Sequence, residues 1–544
     1  MNTRQLQTDK NQKLYHALLG ILLVCALAMM MLLSYWACKY SYYGAVDGRT
    51  RGVLVGDKTW AHIAVFLAAS LCTMGIDKVL MKKDKSQQEK ICLCTLIVTS
   101  VIAFILGVFY VCKNPYYPVG DQINTTAFAA YCRDGNFSML SIGGYVGMYQ
   151  QQKGLAILYE ILFTLFGDFN YRPAKILHVV WWILTILAGY GFLKLNTDRP
   201  VFRMLYCVMM LGCFPLLFYL PYIYGDVLSI SFGIILFYGV AAYEHSGQKR
   251  YIALASFAAG LAVLARKNTW VVLVAVAVYV LLVSLRKKKV RYLMAGTAIL
   301  LTAALSVKAV DVIYEVRSGY PSGVGIPSIL WVAMGLQETE DRAGVYNRYQ
   351  QATFTDYDCQ QELATQQGKE YIRERLEEFS QDPGMAFNFF KNKVEGQWIE
   401  PMYAALESTE SFEEGAELSP VLESLYYGEL GRTIWKLTNY YQSILYLAGL
   451  MALVMLGILW WKKKEVPISL WLPWIAVFGG FLFSILWEAK SRYVFPYCVF
   501  MILYAPEGLY QTGLLLCKLP KLRKFKKSRH TQDKGEEAPL RETA

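Results

Sequence analysis

Long apolar stretches separated by shorter polar segments dominate the chain. Thirteen of them approach the roughly 20 residues that a membrane-crossing helix needs. Only residues 311–437 form a long polar interval between them. The pattern predicts an all-α polytopic membrane protein. The runs fall at about 17–36, 60–79, 91–112, 152–167, 174–194, 203–222, 226–244, 251–266, 269–285, 292–310, 438–461, 468–488 and 494–512.

Composition points the same way and argues against a soluble enzyme. Hydrophobic residues make up 55% of the chain and charged residues 18%, and the mean hydropathy is +0.30. Such values are typical of multi-pass membrane proteins. The net charge of +12 comes largely from short Lys/Arg runs at the ends of apolar runs, which indicates topology and not nucleic-acid binding. The first run is too long for a cleavable signal peptide and is typical of a signal anchor.

The distribution of basic residues decides which runs cross the membrane. With the N-terminus inside, a membrane-crossing 152–167 would place the later basic clusters at 247–250, 286–289, 461–464 and 518–529 outside. That arrangement violates the preference of Lys and Arg for the cytoplasmic side. We therefore expect 152–167 to be an interfacial helix on the outer surface. About twelve transmembrane helices remain, with both termini in the cytoplasm.

This topology collects unusual charged residues on the outer face. Asp121 follows the run 91–112 in a loop whose two prolines and glycine stop the helix, and we expect it on irregular backbone at the membrane surface. Two basic pairs, at 266–267 and at 490 and 492, break the cytoplasmic preference of Lys and Arg, and charges in such positions often bind something anionic. The alternative is salt bridges within the protein, for instance Arg492 with Glu488 or Lys267 with Asp226.

The polar interval predicts an outer helical segment laid over the membrane face. It holds 22 Asp/Glu and 10 Lys/Arg. Helical patterns occupy 361–379 and the stretch from Asp382-Pro383 to Trp398, where Asp and Pro suit the first two helix positions. The predicted organisation is an N-terminal cytoplasmic tail with an extra helix pair (1–90), a transmembrane core (91–310) with a first outer loop (113–173), the helical segment (311–437), the C-terminal transmembrane helices (438–512) and a basic cytoplasmic tail (513–544), disordered from about 530.

An outer pocket with a carboxylate, basic clusters and many aromatic residues suits a phosphate at the membrane interface. Arg and Lys would bind the phosphate of an isoprenoid carrier, and a carboxylate would accept a proton from an attacking hydroxyl. The five His and 12 Cys show no metal-ligand spacing, so no metal site is predicted, although a divalent cation is left open. A disulfide between Cys112 and Cys132 is also left open.

Several stretches, in their order along the chain, carry a resemblance to a known family. The layout resembles membrane glycosyltransferases of the GT-C fold, in particular the dolichyl/undecaprenyl-phosphate-sugar-dependent glycosyltransferase family 39 and its Gram-positive relatives. The resemblance covers most of 91–510. The matching stretches are the first outer loop with Asp121, the helix 155–167, Tyr171-Arg172-Pro173-Ala174-Lys175, Pro221-Tyr222-Ile223-Tyr224-Gly225-Asp226, Asp382-Pro383 through Gln397-Trp398-Ile399-Glu400-Pro401, and Glu488-Ala489-Lys490-Ser491-Arg492-Tyr493.

The resemblance implies a function and roles for particular residues. It implies a bacterial multi-pass plasma-membrane enzyme that transfers a sugar from a polyprenyl-phosphate donor to an extracytoplasmic acceptor, a cell-surface glycopolymer or less commonly a protein. Asp121 is implied to be the catalytic base, and Lys490 and Arg492 to contact phosphate. Gln122 stands where the family often has a second acid. The candidate substrate-binding residues are Tyr117, Gln122, Asp226, Arg266, Lys267, Glu488, Lys490, Arg492 and Tyr493.

Two other functions remain open at this stage. A polysaccharide polymerase or ligase would also use an outer carboxylate and basic clusters, with a lipid pyrophosphate donor. A transporter or flippase would need access from both sides of the membrane, whereas the unusual charges lie at one interface and the sequence shows no inverted repeat.

Overall fold

A computed structural model of the chain describes residues 3–43, 53–323, 325–339, 342–464 and 466–532. The predicted tail from 533 onward lies outside these residues. The first half contains α1 (Thr3–Lys39), α2 (Thr59–Leu80), α3 (Lys85–Lys113), α4 (Asp121–Arg133), α5 (Tyr145–Met148), α6 (Lys153–Phe166), α7 (Arg172–Asn196), α8 (Pro200–Leu211), α9 (Phe214–Phe218), α10 (Asp226–Ser246), α11 (Lys249–Ala265), α12 (Trp270–Lys287) and α13 (Val290–Ser318).

A two-stranded antiparallel hairpin, β1 (Tyr40–Tyr43) and β2 (Val53–Gly56), lies between α1 and α2 and was not predicted.

The second half of the chain is also helical. The remaining helices are α14 (Ile329–Gly335), α15 (Tyr349–Asp356), α16 (Gln361–Gln381), α17 (Pro383–Trp398), α18 (Ala405–Ser408), α19 (Pro420–Tyr427), α20 (Glu429–Trp461), α21 (Leu472–Leu486), α22 (Ser491–Met501) and α23 (Ala505–Gln532).

Nine helical segments in the described part of the chain are long and apolar enough to cross a membrane. They are Asn11–Lys39, Thr59–Leu80, Lys85–Lys113, Arg172–Asn196, Asp226–Ser246, Lys267–Lys287, Val290–Ser318, Glu429–Trp461 and Ile468–Leu486. The other three predicted spans coincide with shorter or interrupted helices. The run 251–266 is the 17-residue α11.

Prolines explain the two interrupted runs. The run 203–222 divides into α8 and α9, and Pro215 occupies the first turn of α9. The run 494–512 divides between α22 and α23, where Pro506 lies near the start of the second helix. Proline lacks an N–H and disfavours helical geometry at the preceding residue, so an apolar run that contains one need not be a single helix.

The run 152–167 forms α6, which lies at one end of the bundle. Lys153 of this helix forms an ion pair with Asp311 and donates to the Ser322 hydroxyl at 2.8 Å. Glu160, two turns later, accepts from Arg317 at 2.6 Å. Both contacts are to the last turns of α13 or the residues that follow it, so α6 stays beside one end of that helix. This agrees with the expectation that 152–167 does not span.

The opposite end of the bundle is held by ion pairs between helix termini. Arg199 bonds to Asp77 at 3.0 Å, and Arg203 makes two bonds to Glu89 at 2.6 and 2.9 Å. Lys287, the last residue of α12, pairs with Glu244 near the end of α10 at 2.8 Å. These contacts bring the ends of α2, α10 and α12 and the starts of α3 and α8 to this end of the bundle.

The connecting segment between α13 and α20 covers residues 319–428, because α13 continues to Ser318 and α20 begins at Glu429. The predicted boundaries of 311 and 437 thus fall inside those two helices. The helices predicted at 361–379 and from Pro383 are confirmed as α16 and α17. The Asp382 side chain caps α17 by accepting from the Met385 N–H at 2.9 Å.

Candidate functional site

Asp121 is the first residue of α4, and not on irregular backbone as the sequence suggested. The two prolines end α3 at Lys113, and Gly120 then adopts a positive φ of 58° that starts the new helix. The Asp121 carboxylate is exposed and accepts a hydrogen bond from the Tyr145 hydroxyl at 2.8 Å. A helix N-terminus stabilises a negatively charged side chain. Burial raises the pKa of Tyr145, which keeps its hydroxyl protonated as the donor.

A cavity of about 650 Å³ lies above Asp121. Its lining comes from the start of α4, the α11–α12 junction, the α21–α22 loop and the connecting segment, so residues far apart in sequence meet there. Seven of the ten residues that the sequence nominated line this cavity. They are Asp121, Arg266, Lys267, Glu488, Lys490, Arg492 and Tyr493.

Asp226 lies beside the cavity and holds two of its arginines. Its carboxylate is 3.4 Å from Arg266 and 3.9 Å from Arg492, and the residue is only 3% exposed. The ion pairs in the structure therefore differ from the two that were considered from the sequence. Asp226 pairs with Arg266 and not with Lys267, which donates to the Ser328 hydroxyl at 3.1 Å. Arg492 pairs with Asp226 and not with Glu488.

Gln122 lies behind the cavity in a buried network and does not line it. Its amide nitrogen donates to the Tyr222 hydroxyl at 2.8 Å, and its amide oxygen accepts from Tyr116. Arg492 also donates to the Tyr222 hydroxyl. Gln122 therefore does not contact the cavity, contrary to the prediction. It is connected to Arg492 through the Tyr222 hydroxyl, which accepts a hydrogen bond from each of them.

Tyr117 lies away from the cavity. Its backbone N–H donates to the Ser411 carbonyl at 2.8 Å, and its ring meets the edge of Tyr171 at a centroid distance of 5.9 Å. Tyr117, Gln122 and Asp226 are thus the three nominated residues that the structure leaves out of the cavity lining.

Glu488 is the second carboxylate in the lining and differs from Asp121 in its environment. It is 7% exposed, and its two oxygens each lie 3.4 Å from the Tyr493 hydroxyl. Burial raises the pKa of Glu488 to about 7, with Lys490 opposing the shift and Asp121 adding to it. The cavity therefore combines an exposed carboxylate with a buried one that titrates near neutral pH.

Aromatic rings cover much of the cavity wall. Trp331 and Trp487 are stacked at 5.9 Å with an angle of 4° between their planes. Tyr149 packs between Trp331, at 6.3 Å, and Tyr145, at 5.1 Å. Flat faces of this kind can pack against the apolar face of a ring-shaped ligand.

The connecting segment contributes residues that the sequence did not nominate. Because none of them is close to a predicted span, the distribution of charge across the membrane gave no signal for them. A buried lysine helps to hold this part in place: Lys393 donates to the Gly335 carbonyl, and burial lowers its pKa to about 7. The Ala489 N–H donates to the Gly344 carbonyl at 2.7 Å. The unpredicted lining residues of this segment are Trp331, Tyr346, Arg348, Gln350 and Gln351.

A second cavity of about 270 Å³ adjoins the first. The two share Lys267 and Gln151 in their linings. Apolar side chains from three helices form much of the second lining, among them Val263 of α11, Trp270 of α12 and Val307 of α13. The two cavities thus meet at a lysine, and apolar side chains form one part of the second cavity.

The structure also describes the cysteines and the candidate metal ligands. All twelve cysteines are free, with Cys112 exposed and Cys132 buried, so the disulfide weighed from the sequence does not form here. Within the described ranges, no group of three or more His, Cys, Asp or Glu side chains is placed to hold a metal ion.

The fold and the site together define an all-α, multi-pass membrane protein with a charged cavity at one end of its helix bundle. Compared with known proteins, the chain matches no family model, no curated protein and no solved structure.

Proposed function

We propose that the protein is a membrane glycosyltransferase of the GT-C fold that transfers a sugar from a polyprenyl-phosphate donor to an acceptor hydroxyl. One observation carries the proposal. Seven residues nominated from three places in the sequence line a single cavity, which combines an exposed carboxylate, several cations and aromatic walls. This combination serves sugar transfer from a lipid phosphate.

Asp121 is the general base of the proposed reaction. The acceptor hydroxyl loses its proton to the Asp121 carboxylate as its oxygen forms a bond to the anomeric carbon of the donor sugar. The bond between that carbon and the phosphate oxygen breaks, and its electron pair leaves with the polyprenyl phosphate. The hydrogen bond from Tyr145, at 2.8 Å, orients one carboxylate oxygen.

The basic residues stabilise the leaving phosphate. Its charge rises from one to two as the sugar departs, and fixed cations favour that change. Arg266 and Arg492 are held by Asp226, so their positions are set before the donor binds. Lys267 and Lys490 supply two more positive charges in the same lining.

The second cavity supports a lipid-linked donor. Its lining is mixed, and the apolar part, which includes Val263, Trp270 and Val307, belongs to the same cavity that meets the first one at Lys267. A donor whose phosphate lies near Lys267 would place the first carbons of its prenyl chain among the apolar side chains there. A soluble nucleotide-sugar would leave this apolar surface uncovered.

The proposed active site faces the outside of a bacterial plasma membrane. Support comes from the basic clusters, which lie at the end of the bundle opposite to the cavity and are expected in the cytoplasm. The proposed acceptor is a cell-surface glycopolymer in preference to a protein. A divalent cation is not required by this scheme, because lysine and arginine supply the positive charge.

A donor panel tests the proposal directly. The purified protein is incubated with polyprenyl-phosphate sugars that differ in the sugar, together with saccharide acceptors that offer free hydroxyl groups, and consumption of each donor is measured. We expect one donor to be consumed by the wild type, and Asp121→Asn to slow transfer by about 10²-fold or more, as for loss of a general base, with donor binding kept.

Asp134→Asn is the matched control. Asp134 is an exposed residue immediately after α4, outside the cavity lining, so we expect this variant to retain wild-type rates. Consumption of no donor by the wild type would reject the proposed function. Retention of more than about a tenth of the wild-type rate by Asp121→Asn would reject Asp121 as the base.

A further inference from the structure

A basic surface lies at the end of the bundle opposite to the cavity, where α10 is followed by α11 and α12 by α13. Residues 244–251 and 286–292 of these two junctions contain seven Lys or Arg residues and one Glu. That Glu, Glu244, is buried and already pairs with Lys287 at 2.8 Å. The two junctions therefore carry a large excess of positive charge that takes no part in the proposed sugar transfer.

Two arginine–tyrosine pairs lie on this basic surface. Arg250, in the first turn of α11, donates to the Tyr251 hydroxyl at 3.3 Å, and its guanidinium lies 4.9 Å from the centre of that ring. Arg291 repeats the arrangement in the first turn of α13. It donates to the Tyr292 hydroxyl at 2.8 Å, with its guanidinium 4.8 Å from the ring centre. Such contacts hold a guanidinium in place without neutralising its charge.

The two pairs are neighbours at the starts of adjacent helices. Tyr251 and Tyr292 line the same narrow cleft between α10, α11, α12 and α13. The Arg291 Nη1 atom lies 3.4 Å from the position of a Cβ on Gly247, in the turn that leads to Arg250. Both arginines are exposed, and among the residues that the structure describes neither has a carboxylate within 4.0 Å. Two guanidinium groups with unused N–H donors are therefore held near one another.

The side chains next to Arg291 place the two pairs at the boundary between hydrocarbon and water. Leu293 and Met294 lie within one turn of Arg291 and are 54% and 67% exposed, on a helix long and apolar enough to cross a membrane. On α11, Phe257 is exposed two turns after Arg250. Cations that adjoin an exposed apolar surface match the chemistry of an anionic phospholipid, whose phosphate adjoins its acyl chains.

We propose that the two arginine–tyrosine pairs form a binding site for an anionic phospholipid. The lipid phosphate accepts hydrogen bonds from the guanidinium groups of Arg250 and Arg291, and the acyl chains lie against Leu293 and Met294. Basic residues between transmembrane helices bind anionic headgroups through this combination of charge and adjoining apolar surface. The bound lipid joins α11 to α13 at the end opposite to the cavity. This site does not depend on the proposed sugar transfer.

Thermal unfolding in defined lipids tests this site. The purified full chain in a neutral detergent is mixed with increasing amounts of dioleoyl phosphatidylglycerol or of dioleoyl phosphatidylcholine, and the unfolding midpoint is measured. We expect the anionic lipid to raise the midpoint to a plateau and the zwitterionic lipid to raise it less. The double variant Arg250→Gln/Arg291→Gln should need about tenfold more phosphatidylglycerol for half of the effect, because two charge-assisted contacts to the phosphate are lost.

Lys82→Gln/Lys83→Gln is the matched control. It removes two exposed charges from the same end of the bundle, in the turn between α2 and α3, and should respond to phosphatidylglycerol as the wild type does. Native mass spectrometry of the bound lipid gives the same comparison without reference to unfolding, and we expect only the arginine variant to retain less. Equal responses of the two double variants, or of the wild type to the two lipids, would overturn the site.

A soluble phosphate distinguishes a lipid site from a general anion site. Glycerol phosphate carries the headgroup chemistry without the acyl chains, and it is titrated over the concentrations at which phosphatidylglycerol reaches its plateau. We expect glycerol phosphate to leave the midpoint nearly unchanged there, because it lacks the apolar contact with Leu293 and Met294. A rise as large as that with the lipid, lost in Arg250→Gln/Arg291→Gln, would reject the lipid in favour of a soluble anion.

Discussion

Asp226 shows how a single carboxylate can prepare a cationic site. It lies within 4 Å of both Arg266 and Arg492, and without it two buried guanidinium groups would face one another. Removing one partner from a buried ion pair typically costs 3–5 kcal/mol, because a charge is left uncompensated. In the proposed reaction Asp226 is therefore a positioning residue, which acts on the donor phosphate through the two arginines.

Glu488 predicts a pH dependence of donor binding near neutrality. Burial raises its pKa to about 7, so the side chain is neutral below this pH and becomes negative as pH rises through it. A phosphodiester keeps its charge over this range, so we expect donor affinity to fall above pH 7. One added repulsive charge corresponds to a change of up to about tenfold. The measurement is the donor Kd at pH 6, 7 and 8.

Glu488→Gln is the variant that isolates this effect. The charged groups nearest Glu488 are Asp121, Arg266 and Lys490 in the lining and Lys393 behind it. Lys393 loses its charge over the same range, because burial lowers its pKa to about 7, and that contribution persists in the variant. We expect a smaller loss of affinity between pH 6 and 8 in Glu488→Gln. An identical loss in both proteins would contradict the assignment to Glu488.

Individual side chains were also where the sequence was least informative. The sequence singled out the charges on one face as a group, because the membrane penalises misplaced cations, and the structure brings seven of the ten nominated residues into one cavity. The sequence could not decide whether Arg266 or Lys267 pairs with Asp226. The two residues lie at a helix junction, where the backbone has no repeating geometry from which side-chain directions can be predicted. Arg348 was missed because it lies in the connecting segment, where a single arginine exposed to solvent is common and gives no signal.

At the scale of elements, a close backbone contact aligns α10 with α11. Gly225 precedes α10, and a Cβ placed there would lie 2.0 Å from the Ala265 carbonyl oxygen and 3.0 Å from the Arg266 side chain. Only glycine permits this approach. The contact sets the relative positions of Asp226, which begins α10, and Arg266, which follows α11.

Gly225→Ala should therefore destabilise the protein and impair sugar transfer. We expect a loss of about 1–3 kcal/mol, as for overpacking at a close contact, and weaker donor binding as Arg266 is displaced. The readouts are the thermal unfolding midpoint and the donor Kd in the same detergent.

Gly75→Ala is the control, because no atom lies within 4 Å of a Cβ at that position of α2. Alanine is favoured over glycine in a helix interior by ~1 kcal/mol, so this variant should be as stable as the wild type or more so. Equal stability of the two variants would show that the α10–α11 contact adapts without cost.

Hydropathy located most of the elements, but two apolar runs that contain a proline each form two helices, whereas the run 468–488 stays a single candidate span with Pro473 in the first turn of α21. The runs ending near 222 and 512 each became two helices, at Pro215 and Pro506. The β1–β2 hairpin has only four residues in each strand. Strands this short between two apolar helices leave too little alternation to be recognised.

For the whole molecule, cysteine labelling can test which side of the membrane the cavity end of the helix bundle faces and which side the opposite end faces. Asn170 is exposed in the short connection between α6 and α7, at the cavity end, and Lys289 is exposed between α12 and α13, at the opposite end. A cysteine at position 170 should react with a membrane-impermeant maleimide in intact cells. A cysteine at 289 should react only after permeabilisation. Reaction of 289 alone in intact cells would reverse the topology.

The cavity is also assembled from both halves of the chain, which has a consequence for biosynthesis. Its first lining residue is Gly120 and its last is Tyr493. Helices that enter the membrane in order of synthesis reach a stage at which Asp226 has Arg266 as its partner and Arg492 has not yet been made. The second arginine then arrives at a carboxylate already in place. For the proposed transferase, the donor site is therefore complete only after the last helices insert.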